Sequence, residues 1–412
     1  MKPARALWLA LVLLLNACGG GGGGPGGGSS TAPPSAPSGS ALVAAPPQNG
    51  NNQQAVRVAY GIGNTPNLLL TSVTVCEPGS TTRCQTIDNI LIDTGSTGLR
   101  IIESVLNPAL ALPGISAGGG ARLGECILFA DGTGIWGPMR RADVYLANQK
   151  AGNLPIHAIG TRTLSKIPND CPGTFKHTPE SFGANGILGI SPYLKDCGQA
   201  CEFNSFNGRY FSCDEGGDCS GTTAPQGDQT AHPVGAMNTH DNGTLITLSP
   251  VPPTGAISAT GTLTLGIGTA GNNGLGSAKV FPVAFDPLTG VLAFPTRYKS
   301  VDYAGFIDSG SNGLFIPDGE IPLCLGSFFF FCPASLQTLT ATNFGTSGAD
   351  TVTFNVLAAN SFPADFAALP ALVGPDVLGA FDYGLPFFFG RNVFTAIEDK
   401  SSPGGTGPYF AY

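Results

Sequence analysis

The chain has 412 residues, enough for two ordinary lobes and a sizeable core, with 60 glycines, 34 prolines and only 11% charged side chains. Few stretches could hold a helical stripe, whereas short alternating runs broken by Gly, Pro, Asn and Ser point to a β-rich class. A net charge of −8, with no basic cluster larger than the pair Arg140 and Arg141, excludes nucleic acid as a partner and charge-driven binding to anionic membranes.

At the N-terminus, Lys2 and Arg5 form a charged region ahead of an apolar stretch, Ala6 to Leu15, too short to span a bilayer as a stable helix. Leu15-Asn16-Ala17-Cys18 resembles the bacterial lipobox. The resemblance implies a lipoprotein signal peptide over 1–17, cleavage before Cys18 and acylation of its thiol. An ordinary signal peptide with a chance cysteine is the other reading. Lipidation makes the bilayer a partner through acylated Cys18 and places the chain in the bacterial cell envelope. Gly19 rather than Asp after the cysteine implies sorting to the outer membrane. Residues 18–54 then form the lipidated Cys and a Gly/Pro/Ser-rich tether without Lys or Arg, spanning roughly 30–35 Å as a random coil.

Eleven cysteines leave ten once Cys18 is set aside, an even number that suggests five disulfides in an exported protein. Cys76 with Cys84 and Cys324 with Cys332 are local loop closures. Cys197, Cys201, Cys213 and Cys219 are expected to pair among themselves, which leaves Cys126 with Cys171. A zinc cluster built on Cys197 and Cys201 ranks below disulfides in an oxidising compartment.

The folded part is expected to begin near Ala55. Val56, Val58 and Tyr60 alternate, Gly61-Ile62-Gly63-Asn64 turns, and a second strand runs from Leu68 to Cys76. Ile90-Leu91-Ile92 then leads into Asp93-Thr94-Gly95-Ser96. The pattern returns later. Gly261 to Thr269 echoes the first strand and its Gly-Ile-Gly turn, and Ala304 to Ile316, containing Asp308-Ser309-Gly310-Ser311, echoes Ile90 to Ile101. This is a twofold internal duplication. It divides the chain into an N-terminal lobe over 55–192, a Cys-rich connection over 193–240 and a C-terminal lobe over 241–412.

Each D-[TS]-G-S motif places a carboxylate at the end of a buried strand on a turn that glycine permits. Two adjacent carboxyls cannot both ionise cheaply, so a facing pair holds one proton between them. The ionised member can deprotonate a water while the protonated one donates to a substrate carbonyl, which hydrolyses an amide without a covalent intermediate.

These motifs resemble those of the pepsin-like aspartic proteases. The resemblance implies an all-β, bilobal fold with an interlobe cleft, catalytic roles for Asp93 and Asp308, and an extended polypeptide substrate. It also implies supporting roles for Thr94, Gly95 and Ser96 and for Ser309, Gly310 and Ser311. The Thr94 and Ser309 hydroxyls would interlock the two loops, and Ser96 and Ser311 would bond the outer carboxylate oxygens. Phe129-Ala130-Asp131-Gly132-Thr133-Gly134 is similar to the family's flap tip. Asn185 to Ile190 resembles the apolar-apolar-Gly strand that threads the first catalytic loop. Phe388-Phe389-Gly390, continuing to Asp399, resembles the matching strand and helix of the second lobe. The enzyme is expected to be monomeric, with neither cofactor nor metal.

Two departures stand out. Arg100 replaces the family's tryptophan after the first motif, and Asp131 replaces its flap tyrosine. An Arg100–Asp131 ion pair would take over the flap-positioning contact; alternatively Asp131 is a solvated turn residue. The tether also lacks the cations of the family's prosegment, so either no zymogen control is needed or the protein is not an active protease. A non-catalytic surface lipoprotein binding a peptide, glycan or protein partner is therefore the alternative function. The four histidines (157, 177, 232, 240) show no metal spacing, and no Gly-x-Ser-x-Gly elbow is present. Of the aromatic runs, Phe387 to Phe389 is expected in the core or cleft floor, and Phe328 to Phe331 in a loop touching substrate or membrane.

Overall fold

The computed structural model describes residues 52–326, 329–376 and 378–412. The signal peptide, Cys18 and the tether as far as residue 51 lie outside the described residues, as does Phe328. The first strand, Gln53–Ala59, begins two residues inside the segment read as tether. Its alternation decides its faces: Val56 and Val58 point inward while Arg57 points to solvent.

Strand pairing ties the two halves together. Gln53–Ala59 runs antiparallel to Leu68–Cys76 on one side and to Ala259–Leu265, from the second half, on the other. Ala259–Leu265 continues through Gly243–Leu248 and Asn392–Ala396 to the C-terminal strand Tyr409–Ala411. One sheet therefore joins both lobes, and the largest apolar cluster crosses it, from Val58, Leu69 and Ile92 to Phe281, Phe294 and Phe381.

Within each lobe the same knot recurs. In the first, Cys84–Asp93 ends at Asp93 and the chain returns as Thr97–Ile102. The strand Gly186–Ile190 then slots between them, parallel to the former and antiparallel to the latter. In the second, Val301–Ile307 leads to Asp308, and Leu314–Ile316 returns. Ala380–Tyr383 lies parallel to Val301–Ile307 and meets Leu314–Ile316 at Phe315. The fold is all-β and two-lobed, with a small pocket lined from both halves.

This register corrects the assignment of the second threading strand. Phe388-Phe389-Gly390 does not thread the loop. Leu385–Phe388 is a short 3-10 helix, and Asn392–Ala396 is a strand of the joining sheet, with no helix after it. The threading segment is Ala380–Tyr383 followed by Gly384. Tyr383 sits opposite Ile307 just as Leu188 sits opposite Ile92. A Cβ on Gly384 would fall 1.8 Å from the Gly313 carbonyl oxygen, so the close crossing of backbones requires glycine there.

Five disulfides form: Cys76–Cys84, Cys126–Cys171, Cys197–Cys201, Cys213–Cys219 and Cys324–Cys332. The 193–240 segment is built onto the first lobe, because its strand Tyr210–Cys213 extends the sheet by pairing with Ala121–Leu128. Phe387, Phe388 and Phe389 are core residues, and so is Phe331; Phe330 lies against Phe315.

Candidate active site

Asp93 and Asp308 are brought together at the meeting point of the two knots, 6% and 5% exposed. Their carboxyls face each other closely enough that the Asp93 carboxylate raises the pKa of Asp308. Each sits in a nearly identical cradle. Asp93 Oδ1 accepts from the Gly95 N–H at 2.8 Å, and its Oδ2 from the Ser96 hydroxyl. Asp308 Oδ1 accepts from the Gly310 N–H at 2.8 Å, and its Oδ2 from the Ser311 hydroxyl at 2.8 Å. The glycines are dictated by proximity. A Cβ on Gly95 would stand 2.7 Å from Asp308 Oδ1, and one on Gly310 would stand 2.7 Å from Asp93 Oδ1. Any larger residue would wedge the two loops apart.

The loops are also laced together. Thr94 Oγ1 donates to the Ile307 carbonyl and accepts from the Ser309 N–H, both at 2.9 Å. Ser309 Oγ reciprocates, donating to the Ile92 carbonyl at 2.9 Å and accepting from the Thr94 N–H at 3.1 Å. Four buried backbone groups are thus satisfied across the lobe interface by two hydroxyls, and the carboxyl spacing is fixed by the same bonds.

Electrostatically the site favours a bound proton. Burial, then the Asp93 charge, push the Asp308 carboxyl well above the usual carboxylate range, against the opposing pull of Ser311 and the Gly310 N–H. The proton belongs to the pair rather than to one residue.

The Gly132-Thr133-Gly134 tip is a hairpin turn between Ala121–Leu128 and Thr133–Leu146. Gly132 has φ +74°, and its N–H closes the turn on the Phe129 carbonyl at 3.0 Å. Asp131 does not meet Arg100. Its carboxylate accepts from the Thr133 N–H at 2.6 Å and the Thr133 hydroxyl at 2.5 Å, with Lys176 Nζ 3.9 Å away. The tip is strapped as well. Thr174–Phe175 runs alongside Thr133–Gly134, and Cys126–Cys171 anchors that strap.

Arg100 is instead buried in a polar centre of the first lobe. Its guanidinium donates to the Thr97 carbonyl at 2.6 Å and to Glu125 Oε1 at 3.0 Å, and lies 3.6 Å from Asp196. Glu125 Oε2 accepts from the Thr230 hydroxyl at 2.6 Å and stands 3.2 Å from His157 Nδ1. Asp196 accepts from the Tyr210 hydroxyl at 2.7 Å. Burial and the Glu125 charge push Asp196 up to about 7, while burial and then the Arg100 charge hold His157 well below the usual histidine range.

Sequence reasoning missed one residue of the site. Asp382, on the second threading strand, is 7% exposed, and burial, then the Asp308 charge, hold its carboxyl well above the usual carboxylate range. The available signal was Asp382-Tyr383-Gly384, which keeps the glycine of the threading pattern but not its apolar pair. A pocket of about 110 Å³ adjoins the site, with Gly95, Tyr193, Val291, Leu292 and Phe306 among its walls.

The chain belongs to the family described as "Protein of unknown function (DUF3443)", whose model matches residues 48–412. No curated protein matches it. Among solved structures it is similar to the crystal structure of aspartic proteinase from Irpex lacteus, at 18% identity and a TM-score of 0.49, over 87% of this chain and 96% of that chain.

Proposed function

We propose that this member of the family is a membrane-anchored aspartic endopeptidase that hydrolyses extended polypeptide with a water activated by Asp93 and Asp308. The observation that carries the reading is the facing pair of buried carboxyls, each held by one glycine N–H and one serine hydroxyl. With one shared proton, the ionised carboxylate takes a proton from the water as its oxygen attacks the peptide carbonyl. The protonated carboxyl donates to the carbonyl oxygen as the tetrahedral intermediate forms. The newly protonated carboxyl then gives its proton to the amide nitrogen while the other carboxylate takes one from a hydroxyl of the tetrahedral intermediate, which breaks the C–N bond and restores the shared proton. The apolar wall of the adjoining pocket suits an uncharged substrate side chain.

Assaying the purified full chain on a denatured protein between about pH 3 and pH 8 tests the reading. Asp93→Asn and Asp308→Asn should each lower turnover by roughly 10³-fold. Proteolysis that survives both substitutions would belong to a contaminant. An inactive wild type would favour the second reading, a cleft-bearing binding protein, whose supporting observation is the strapped flap tip carrying Asp131.

Anchoring rests on Cys18 directly after the apolar stretch Ala6 to Leu15 and on the uncharged segment that follows. Outer-membrane placement rests on Gly19. Mass spectrometry of the N-terminal peptide should find a diacylglyceryl group on Cys18, and Cys18→Ala should release the protein from membranes. An unmodified thiol would end the anchor proposal.

A further inference from the structure

The first lobe carries a second, larger cavity that the carboxyl pair does not use. It holds about 550 Å³, with Glu103, Pro108, Leu110, Pro113, Arg140 and Arg162 among its walls. None of its lining residues lines the pocket beside Asp93 and Asp308. Thr97–Ile102 carries the chain from the first catalytic loop to Glu103, a run of about 20 Å. The loop that forms the apolar wall is pinned at three points. Gln85 Oε1 accepts from the Asn107 N–H at 2.8 Å, Glu77 Oε1 accepts from the Ala111 N–H at 2.8 Å, and Arg83 donates to the Ala109 carbonyl at 2.5 Å. The cavity is therefore preformed.

Three guanidiniums gather at its polar end around one carboxylate. Arg122 donates to the Thr163 carbonyl at 3.0 Å and Arg140 to the Thr163 hydroxyl at 2.9 Å. That hydroxyl gives its own hydrogen to Glu103 Oε1 at 2.5 Å, and the Arg162 N–H donates to Oε2 at 3.0 Å. Both oxygens of Glu103 are thus already engaged. The Arg140 and Arg162 guanidiniums approach it only at 3.7 and 3.8 Å, beyond hydrogen-bond range. Burial holds Arg140 below the usual guanidinium range; Glu103 opposes this, and Arg122 and Arg162 add to it.

We propose that this cavity binds an organic monoanion, a carboxylate on an apolar body, with the carboxylate between Arg140 and Arg162 and the body against Pro108, Leu110 and Pro113. Charge selects the class. The walls carry two guanidiniums against one carboxylate, a surplus of a single positive charge, while Arg122 is engaged with Thr163 outside the lining. A planar guanidinium fork matches a planar carboxylate, and the proline and leucine walls offer nothing to a small hydrated ion. A peptide ending in an apolar residue and a free aliphatic acid share this chemistry.

Calorimetric titration of the full chain tests the site with acetyl-dileucine bearing a free C-terminus, with octanoate and with inorganic phosphate. A carboxylate should bind, and the tighter of the two identifies the source as a peptide end or an aliphatic acid. The C-terminal amide of acetyl-dileucine should bind about tenfold more weakly than the acid, because the charge-assisted bonds are gone. Arg162→Gln should weaken carboxylate binding about tenfold, and Arg162→Lys should recover part of it. Arg57→Gln, on the first strand and outside the cavity, should change nothing. Arg162 is remote from the interlobe pocket, so these variants separate this site from peptide held there. Four results would each overturn the proposal: neither carboxylate binding at about 1 mM, phosphate binding as tightly as the carboxylates, the amide matching the acid, or Arg162→Gln leaving affinity unchanged. The site does not depend on the endopeptidase reading, and Asp93→Asn should retain the binding in full.

Discussion

The two lobes hold the same backbone knot with different chemistry. The first packs its knot against charge: Arg100, Glu125, Asp196 and His157 are almost wholly buried beside it, with Tyr210 and Thr230 completing the bonds. The second packs its knot against rings. Phe381 lies 4.6 Å from Tyr383, Tyr383 lies 5.0 Å from Phe387, and Phe281 stacks on Tyr412 at 4.7 Å. Disulfides follow the same division, with four in residues 55–240 and one beyond. Strand register, rather than what fills the space behind it, is what the carboxyl pair requires.

The sharpest way to break the comparison is at Arg100. Its loss leaves Glu125 and Asp196 facing each other with less compensation in a dry interior. Arg100→Met should cost about 3–5 kcal/mol, because breaking a buried ion network strands the remaining charge. Urea denaturation measures it. Adding Glu125→Gln should return part of the loss. A single substitution that leaves stability unchanged would mean that the polar centre is not what supports the first lobe.

Much of the site was legible because it is local. Asp93, Thr94, Gly95 and Ser96 are consecutive, as are Asp308, Ser309, Gly310 and Ser311, and each motif contains both its acid and that acid's donors. The duplication supplied the pairing, and cysteine spacing supplied the short disulfides. The rest depended on distant partners. Glu125 and Asp196 lie 25 and 96 positions from Arg100, with no periodic pattern linking them. Matching Arg100 to Asp131 failed because a turn aspartate bonds first to its own backbone, here the Thr133 N–H. The second threading strand was misplaced because Asp382 and Tyr383 break the apolar signature, while Phe388-Phe389-Gly390 imitates it from the end of a 3-10 helix and the link that follows.

The buried histidines of the first lobe make it titrate in acid, which the second lobe's raised carboxyls do not match. His232, built onto the first lobe, is 1% exposed; its Nδ1 accepts from the Gly235 N–H at 3.1 Å, and burial holds its pKa down at about 3. Between pH 6.5 and 3 the unfolded chain binds a proton there that the folded chain refuses. Stability therefore falls as pH falls through that window, by roughly 1.4 kcal/mol per pH unit for this one group. His157, also depressed, adds in the same direction, whereas Asp196, raised to about 7 by burial and then by the Glu125 charge, opposes both. In the second lobe Asp308 and Asp382 are raised, so their contribution is fully present in acid and is lost as pH rises. Each lobe's net response to acid is the sum of its own groups, and hydrogen exchange across that window reads each lobe separately. His232→Asn keeps an acceptor for Gly235 without the titration. It should flatten the stability–pH slope by about one proton and delay exchange in the first lobe. An unchanged slope in the variant would mean that the buried histidine does not contribute to the first lobe's acid sensitivity.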